Sequence, residues 1–170
     1  MRPAGQTTHQ MSGQGLRLGS TKAMCREDLV VVERVMHKLV AGELDGLGMD
    51  FKVWDWSRPE LFGLVLGMFV RSELVLDSKT LTKILNFAIE VAEGYQHNPY
   101  HSFLHAVDVT YIMYWTLSDM GVADQLGLNK MEMAALLIAA LTHDVLHPGL
   151  NNLYQVRMNG SQMHAKKQQV

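Results

Sequence analysis

The sequence predicts an all-α fold, and three observations carry that prediction. Apolar residues recur at spacings of three and four in successive segments, recognisable helix start and stop signals bracket those segments, and no stretch alternates apolar and polar residues over strand length. With 170 residues, 48% of them hydrophobic and 19% charged, the chain suits one globular unit with a real core. A net charge of -2 and a pI near 6.4 leave no basic stripe, so nucleic-acid binding and electrostatic attachment to membranes have no support. The longest apolar run, Leu61 to Val70, is interrupted by Gly63 and Gly67 and is too short to cross a bilayer; it reads as a buried helix. A single Cys25 excludes an intramolecular disulfide, and the polar start has neither a signal-peptide core nor an Arg-rich amphipathic pattern. These features point to an intracellular, cytoplasmic protein.

Residues 1–22 carry Gly, Ser, Thr and Gln without apolar periodicity and read as a disordered arm. The helical unit spans 23–159, and a polar tail occupies 160–170. The first helix places Leu29, Val32, Val35, Met36 and Leu39 on one face, has Glu27 and Asp28 in its first turn, and closes at Gly42. Gly46 to Trp56 is a loop whose Phe51, Val53, Trp54 and Trp56 should pack down rather than face water. Ser57-Arg-Pro-Glu60 has capping-box spacing and introduces a helix from Leu61 to about Glu73.

Ser78 opens the next helix, with Leu81, Ile84, Leu85, Ala88 and Val91 as its apolar stripe and an end near Gly94. After the Pro99 break a helix is expected from Tyr100 to Met120, its stripe being Leu104, Val107, Tyr111 and Trp115. Asn129, with Glu132 three residues on, caps a last helix whose Met131 to Leu141 stretch is apolar nearly all round, as a central helix would be. The twelve methionines read as adaptable core filling rather than a soft-metal box. His9, His37, His97 and His164 stand alone and read as surface residues.

The chemistry concentrates in two short stretches. Asn98-Pro-Tyr-His-Ser-Phe-Leu-His-Ala-Val-Asp108 puts His101, His105 and Asp108 on one helical face, and Thr142-His-Asp-Val-Leu-His-Pro-Gly-Leu-Asn-Asn152 puts His143 and Asp144 at the end of an apolar helix with His147 one turn on. Imidazole and carboxylate are the ligands that hold zinc, manganese or magnesium. Each stretch has a plainer explanation. Histidines four apart occur by chance, and an Asp before His-Pro-Gly can simply cap a turn. Burying an ionisable pair such as His143-Asp144 without a partner is nevertheless costly, and the two clusters together favour a divalent metal shared between helices. Ser102 stands where a zinc protease of the His-Glu-x-x-His type needs its general base, which argues against protease chemistry.

Together the strings Asn98-Pro-Tyr-His-x-x-x-His-Ala-x-Asp-Val109 and His143-Asp-x-x-His-Pro-Gly-x-x-Asn152 resemble the class I cyclic nucleotide phosphodiesterases, within the HD-hydrolase group. The likeness runs from about Phe51 to Asn159. It implies a multi-helix phosphodiesterase-type bundle that hydrolyses cyclic AMP or cyclic GMP to the 5'-nucleotide in signal transduction, with two divalent ions, zinc and magnesium or manganese. It matches His101 to the general acid that protonates the leaving ribose oxygen, and His105, His143 and Asp144 to metal ligands, Asp144 bridging the two ions. Tyr100 matches a residue lining the substrate pocket, His147 and Asn152 groups around the metal-bound waters, and Asp108 a carboxylate following the first metal His. In-line hydrolysis of a cyclic phosphodiester needs an activated hydroxide and a proton for the leaving alkoxide, which that set can supply.

Three departures accompany the resemblance. Ser102 stands where the family usually has Asn, and Leu146 where it usually has Asp, both beside the ligands they would help orient. The family's catalytic domains also continue well past residue 170, with a further Asp ligand and the Gln and aromatic clamp that grip the purine. The expectation is therefore a phosphodiesterase-type unit truncated at its C-terminus. The alternative is a non-catalytic helical fragment that binds metal weakly or pairs with another chain, its own copy included, through exposed apolar helix surface. Another HD-type phosphohydrolase fits less well, because the general HD pattern requires neither Asn98-Pro-Tyr-His nor His-Pro-Gly-x-x-Asn.

Overall fold

The computed structural model describes residues 15–19, 21, 24–150 and 154; the tail 160–170, Asn152 and most of the expected arm lie outside them. Among the described residues there are six α-helices: α1 (Arg26–Ala41), α2 (Arg58–Arg71), α3 (Ser78–Gly94), α4 (Phe103–Tyr114), α5 (Val122–Leu126) and α6 (Lys130–Thr142). Among the described residues there is no strand.

The core forms around α2. Leu61 to Val70 are buried without exception, and α1 lies along this helix in the most extensive contact of the fold. Such closeness requires missing side chains. A Cβ on Gly63 would sit 2.7 Å from Val35 Cβ and 2.8 Å from the Val32 carbonyl oxygen, and one on Gly67 would meet Leu39 at 3.1 Å. The two glycines that interrupt the apolar run are thus the groove into which α1 settles. The Ser57–Glu60 capping box is present, with Glu60 Oε2 accepting from Ser57 N at 2.8 Å and Oγ at 2.7 Å. The helix ends at Arg71, short of Glu73, because Glu73 turns into the left-handed region at φ 57°, and the terminus closes as Glu73 N bonds to Val70 O and Leu74 N to Phe69 O.

Several sequence expectations shift. The described end of the N-terminal arm is packed: Leu18 N donates to Glu33 Oε1 at 2.7 Å, Gly19 N donates to Thr82 Oγ1 at 2.9 Å, and Leu16 and Leu18 rest against the core. In the loop before α2, Val53 is buried and Phe51 and Trp56 pack partly, but Trp54 stays 66% exposed. A short 3-10 turn, Val53–Asp55, points successive side chains about 120° apart, so with Val53 turned inward Trp54 is carried away from the core. The α3 cap is Asp77, which accepts from Thr80 N, and Ser78 is the first helical residue.

The helix expected from Tyr100 starts later. Ser102 is extended at φ -122°, ψ 170° and occupies the N-cap position, so Tyr100 and His101 precede α4 and His105 lies in its first turn. At the other end the helix widens into a π turn, Trp115–Asp119, where Met120 N reaches back five residues to Trp115 O before Gly121 reverses the chain. The five-residue α5, unforeseen in the sequence, sits between Gly121 and Gly127, both left-handed. Its Ala123 joins Leu117 and Met133 in a small second cluster.

The largest correction concerns α6. It packs against α4 through Met133, Leu137, Ala140 and Leu141, but Met131 (81% exposed), Ala135, Ile138 and Ala139 face outward. An all-round apolar helix was expected to be central; α2 has that place. The described residues supply a neighbour for only one side of α6.

Candidate metal centre

α6 carries the first part of the site to its end. Beyond Thr142 the chain leaves the helix through short turns: Val145 N bonds to Thr142 O, His147 N to Asp144 O, and Leu146, left-handed at φ 63°, donates its N–H to Gly94 O. His143 Nδ1 lies 2.8 Å from Ala140 O. A proton on Nδ1 satisfies that carbonyl and leaves the Nε2 lone pair free, facing Asp144 Oδ2 at 3.1 Å. This is the arrangement that readies an imidazole for a cation.

α4 and the segment before it supply the remainder. His105 Nε2 stands 3.8 Å from Asp144 Oδ2 and His101 Nε2 3.9 Å from the same oxygen. His105 and Asp144 are largely buried, with side chains 14% and 18% exposed. Their donor atoms, with those of His143, all lie within 4.8 Å of one another, and so do those of His101, Asp144 and His147. Two three-residue groups therefore share one carboxylate. With metal–ligand bonds of about 2.0–2.1 Å, tetrahedral ligand atoms stand roughly 3.3 Å apart, so donors that now lie within 4.8 Å of one another would have to draw together by up to about 1.5 Å to hold one cation. Burial pushes the His105 pKa below that of free imidazole, and the neighbouring His143 adds to the effect, while Asp144 opposes it. Neutral imidazole is the form that coordinates.

The other expected site residues take distinct places. The His101 and His147 rings stack at 3.8 Å with an interplanar angle of 23°. Tyr100, 60% exposed, covers His105 with ring centroids 4.5 Å apart and meets His101 edge-on at 5.0 Å. Asp108, on the next turn of α4, belongs to neither group of converging donors, although its charge acts weakly on His105. His101 reaches the site from outside the helix, not from the shared helical face read in the sequence. A cavity of about 590 Å³ bordered by Trp54, Arg58, Glu93 and His97 includes no member of either group of converging donors.

Sequence reasoning assigned no site role to Tyr95 and gave Asn98 only as the start of the first motif, yet the segment 94–98 joins the two motifs. Tyr95 is buried; its hydroxyl donates to Leu141 O at 3.0 Å and accepts from Asp144 N at 3.3 Å. Asn98 Nδ2 donates to His147 O at 2.8 Å. Gly94 was read as a stop signal, but it is the last helical residue, and a Cβ there would lie 2.9 Å from Val145 Cγ1. It is small so that the metal-type turn can approach. The signal available beforehand was a glycine–tyrosine pair directly after the α3 stripe, which periodicity alone cannot distinguish from a helix end.

Residues 100–167 match the family model described as 3'5'-cyclic nucleotide phosphodiesterase. That span takes in the first motif from Tyr100 onward and the whole of the second, and runs into the segment read as a polar tail. The chain is similar to the 3',5'-cyclic-nucleotide phosphodiesterase regA of Dictyostelium discoideum, 36% identical over 111 residues that make up 64% of this chain and 14% of that protein. It is also similar to the cGMP-specific 3',5'-cGMP phosphodiesterase 3 of the same organism, 32% identical over 69% of this chain and 25% of the relative. The high affinity cGMP-specific 3',5'-cyclic phosphodiesterase 9A of Mus musculus is 33% identical over 62% of this chain and 20% of its own length. The matched part thus spans a quarter or less of these relatives.

Proposed function

We propose that this chain, which carries part of a class I cyclic nucleotide phosphodiesterase catalytic domain, supplies the metal-holding and proton-donating part of a site that hydrolyses cyclic AMP or cyclic GMP to the 5'-nucleotide. The observation that carries the reading is the approach of His105 and His143, distant in sequence, to one oxygen of Asp144. Two imidazoles and a carboxylate suit zinc; the Asp144 carboxylate also suits a second, harder ion such as magnesium or manganese, with His101 left unligated as the proton donor and His147 beside the waters. Divalent ions there would activate water at neutral pH and polarise the phosphoryl oxygens.

This chain's residues do the remainder. His143, fixed by its bond to Ala140 O, and His105, kept neutral by burial, orient their Nε2 atoms toward the shared carboxylate. His101 in its protonated form delivers a proton from Nε2 to the departing ribose oxygen, and its stacking on His147 holds the ring in place for that transfer. Tyr100, exposed beside both histidines, offers a face against which a nucleotide can lie. Asp108 and Asn152 belong to the reading as groups outside the ligand set, Asp108 acting on His105 and Asn152 on waters. No helix among the described residues is long and apolar enough to cross a membrane, and a cytoplasmic setting fits a soluble signalling nucleotide as substrate.

The test is an assay of the purified chain with both cyclic nucleotides in zinc, magnesium and manganese, alongside His143→Ala. Detectable metal binding with turnover far below that of an intact domain is expected, because one carboxylate and no purine clamp are present among the described donors. Robust turnover abolished by His143→Ala would show the chain to be self-sufficient; absence of metal binding would remove the reading. A second reading, pairing with another chain, draws on the outward Met131, Ala135, Ile138 and Ala139 of α6. Light scattering on the wild type and on Ile138→Glu tests it: a dimer lost in the variant supports pairing, and a wild-type monomer rejects it.

A further inference from the structure

We propose that Tyr95 is a positioning residue for the metal centre: its buried hydroxyl ties the end of α6 to the Asp144 amide and so sets where the shared carboxylate points. The proposal rests on the metal reading given above and adds to it a residue that touches neither metal nor substrate.

The geometry supplies the reasons. Asp144 is the one residue common to both groups of converging donors, yet it lies beyond the last helical residue, where no α-helical bonding fixes its backbone. Its N–H is donated to Tyr95 Oη at 3.3 Å, and the same hydroxyl donates to Leu141 O at 3.0 Å. One oxygen thereby bridges a carbonyl in the last turn of α6 and an amide three residues on. The bridge is rigid because the Tyr95 ring is 7% exposed and its centroid lies 6.3 Å from that of Phe103, the first residue of α4. The neighbours reinforce the tie: Leu146 N bonds to Gly94 O, and Asn98 Nδ2 bonds to His147 O. Tyr95 alone of these acts directly on Asp144.

The variant is Tyr95→Phe, which keeps the ring and removes the oxygen. Two readouts apply to the 170-residue chain: Co(II) affinity with its visible absorption spectrum, and amide hydrogen exchange at Asp144 measured without metal. Co(II) affinity should fall by about tenfold or more, as for groups that orient ligands elsewhere. Its spectrum should change, and Asp144 exchange should quicken by about tenfold, the size of one hydrogen bond.

Tyr114→Phe is the control. Tyr114 Oη is buried in α4 without a hydrogen-bond partner among the described residues, so its removal should alter neither readout. Unchanged affinity and exchange in Tyr95→Phe would overturn the proposal, as would equal changes in Tyr114→Phe. A wild-type Asp144 amide exchanging at the free-peptide rate would overturn it without recourse to any variant. If the wild type binds no Co(II), the metal reading fails, while the exchange result still decides whether Tyr95 tethers Asp144.

Discussion

Gly149→Ala tests whether the turn bearing His147 is held by Asn98. Gly149 is left-handed at φ 75°, and a Cβ placed on it would stand 2.5 Å from Asn98 Oδ1 and 2.8 Å from its Cγ. The Asn98 amide cannot stay where it is and keep its 2.8 Å bond to His147 O. Two losses add: about 1–2 kcal/mol for an L-residue in the left-handed region, and about 1 kcal/mol for the displaced hydrogen bond. One gain offsets them, about 0.4–1 kcal/mol from the stiffer unfolded chain. The net expectation is a loss of about 1–2 kcal/mol, read from urea denaturation followed by far-UV circular dichroism. A double-mutant cycle with Asn98→Ala isolates the mechanism. With Asn98 already truncated, the hydrogen-bond part of the cost disappears, leaving a coupling of about 1 kcal/mol between the two positions. Strict additivity, or a Gly149→Ala variant as stable as wild type, would refute the reasoning.

Three further outcomes follow from the same coordinates. Gly63→Ala should destabilise by about 1–2 kcal/mol in urea, since the overpacking of about 1–3 kcal/mol against Val35 and the Val32 carbonyl exceeds the helix-propensity gain of about 1 kcal/mol; equal stability would mean that α1 and α2 are not in close contact. Leu146→Asn should raise the melting temperature, because relief of about 1–2 kcal/mol of left-handed strain outweighs the roughly 0.5–1 kcal/mol of burial lost from a side chain already 70% exposed; a lower melting temperature counts against strain there. The Ser57 hydroxyl and amide hold the Glu60 carboxyl below its usual 4.5. A depressed carboxylate stabilises fully above its unfolded pKa, and that contribution is lost as pH falls through the folded value. Wild type should therefore exceed Glu60→Gln in thermal stability near pH 6 and lose that lead below about pH 4.5; a constant lead would show that ionisation is not involved.

What could be read in advance divides along physical lines. Caps and stripes are local, and the sequence showed them: Ser57 with Glu60, Asn129 with Glu132, and the α3 stripe ending near Gly94 all depend on residues within a few positions of each other. The start of α4 was missed because Tyr100 and His101 fit a helical period as well as they fit the turn before Ser102, and period alone does not register an extended N-cap. Trp54 misled because hydrophobicity does not say which side of a one-turn 3-10 helix faces the core. The π turn at Trp115–Asp119 and the exposed face of α6 depend on which neighbours are present. For the site, His105, His143 and Asp144 were legible as residue types with ligand chemistry; their ligand role is the proposal, and their proximity is a tertiary fact. Tyr95 was illegible as a tether because its hydroxyl acts on main-chain atoms, which no side-chain motif records.

The placement of the donors on helix ends also bears on how many ions such a site can retain. His143 and Asp144 follow the C-terminus of α6, where unpaired carbonyls present partial negative charge and favour a cation. His105 lies in the first turn of α4, where the partial positive charge disfavours imidazolium and acts with burial to keep the ring neutral and able to coordinate. The α6 end thus favours positive charge beside Asp144, while the α4 end helps keep His105 unprotonated. Asp144, however, is the only carboxylate in either group of converging donors. One divalent ion already exceeds its charge, and a second beside it would meet net positive charge and no further anion among those donors. Retention of the second ion must then depend on an anion brought to the site, for which the phosphate of a cyclic nucleotide or an additional carboxylate would serve. On the proposed metal reading, such dependence would make occupancy of the second position rise with substrate binding, while a first ion held by His105, His143 and Asp144 would fill independently.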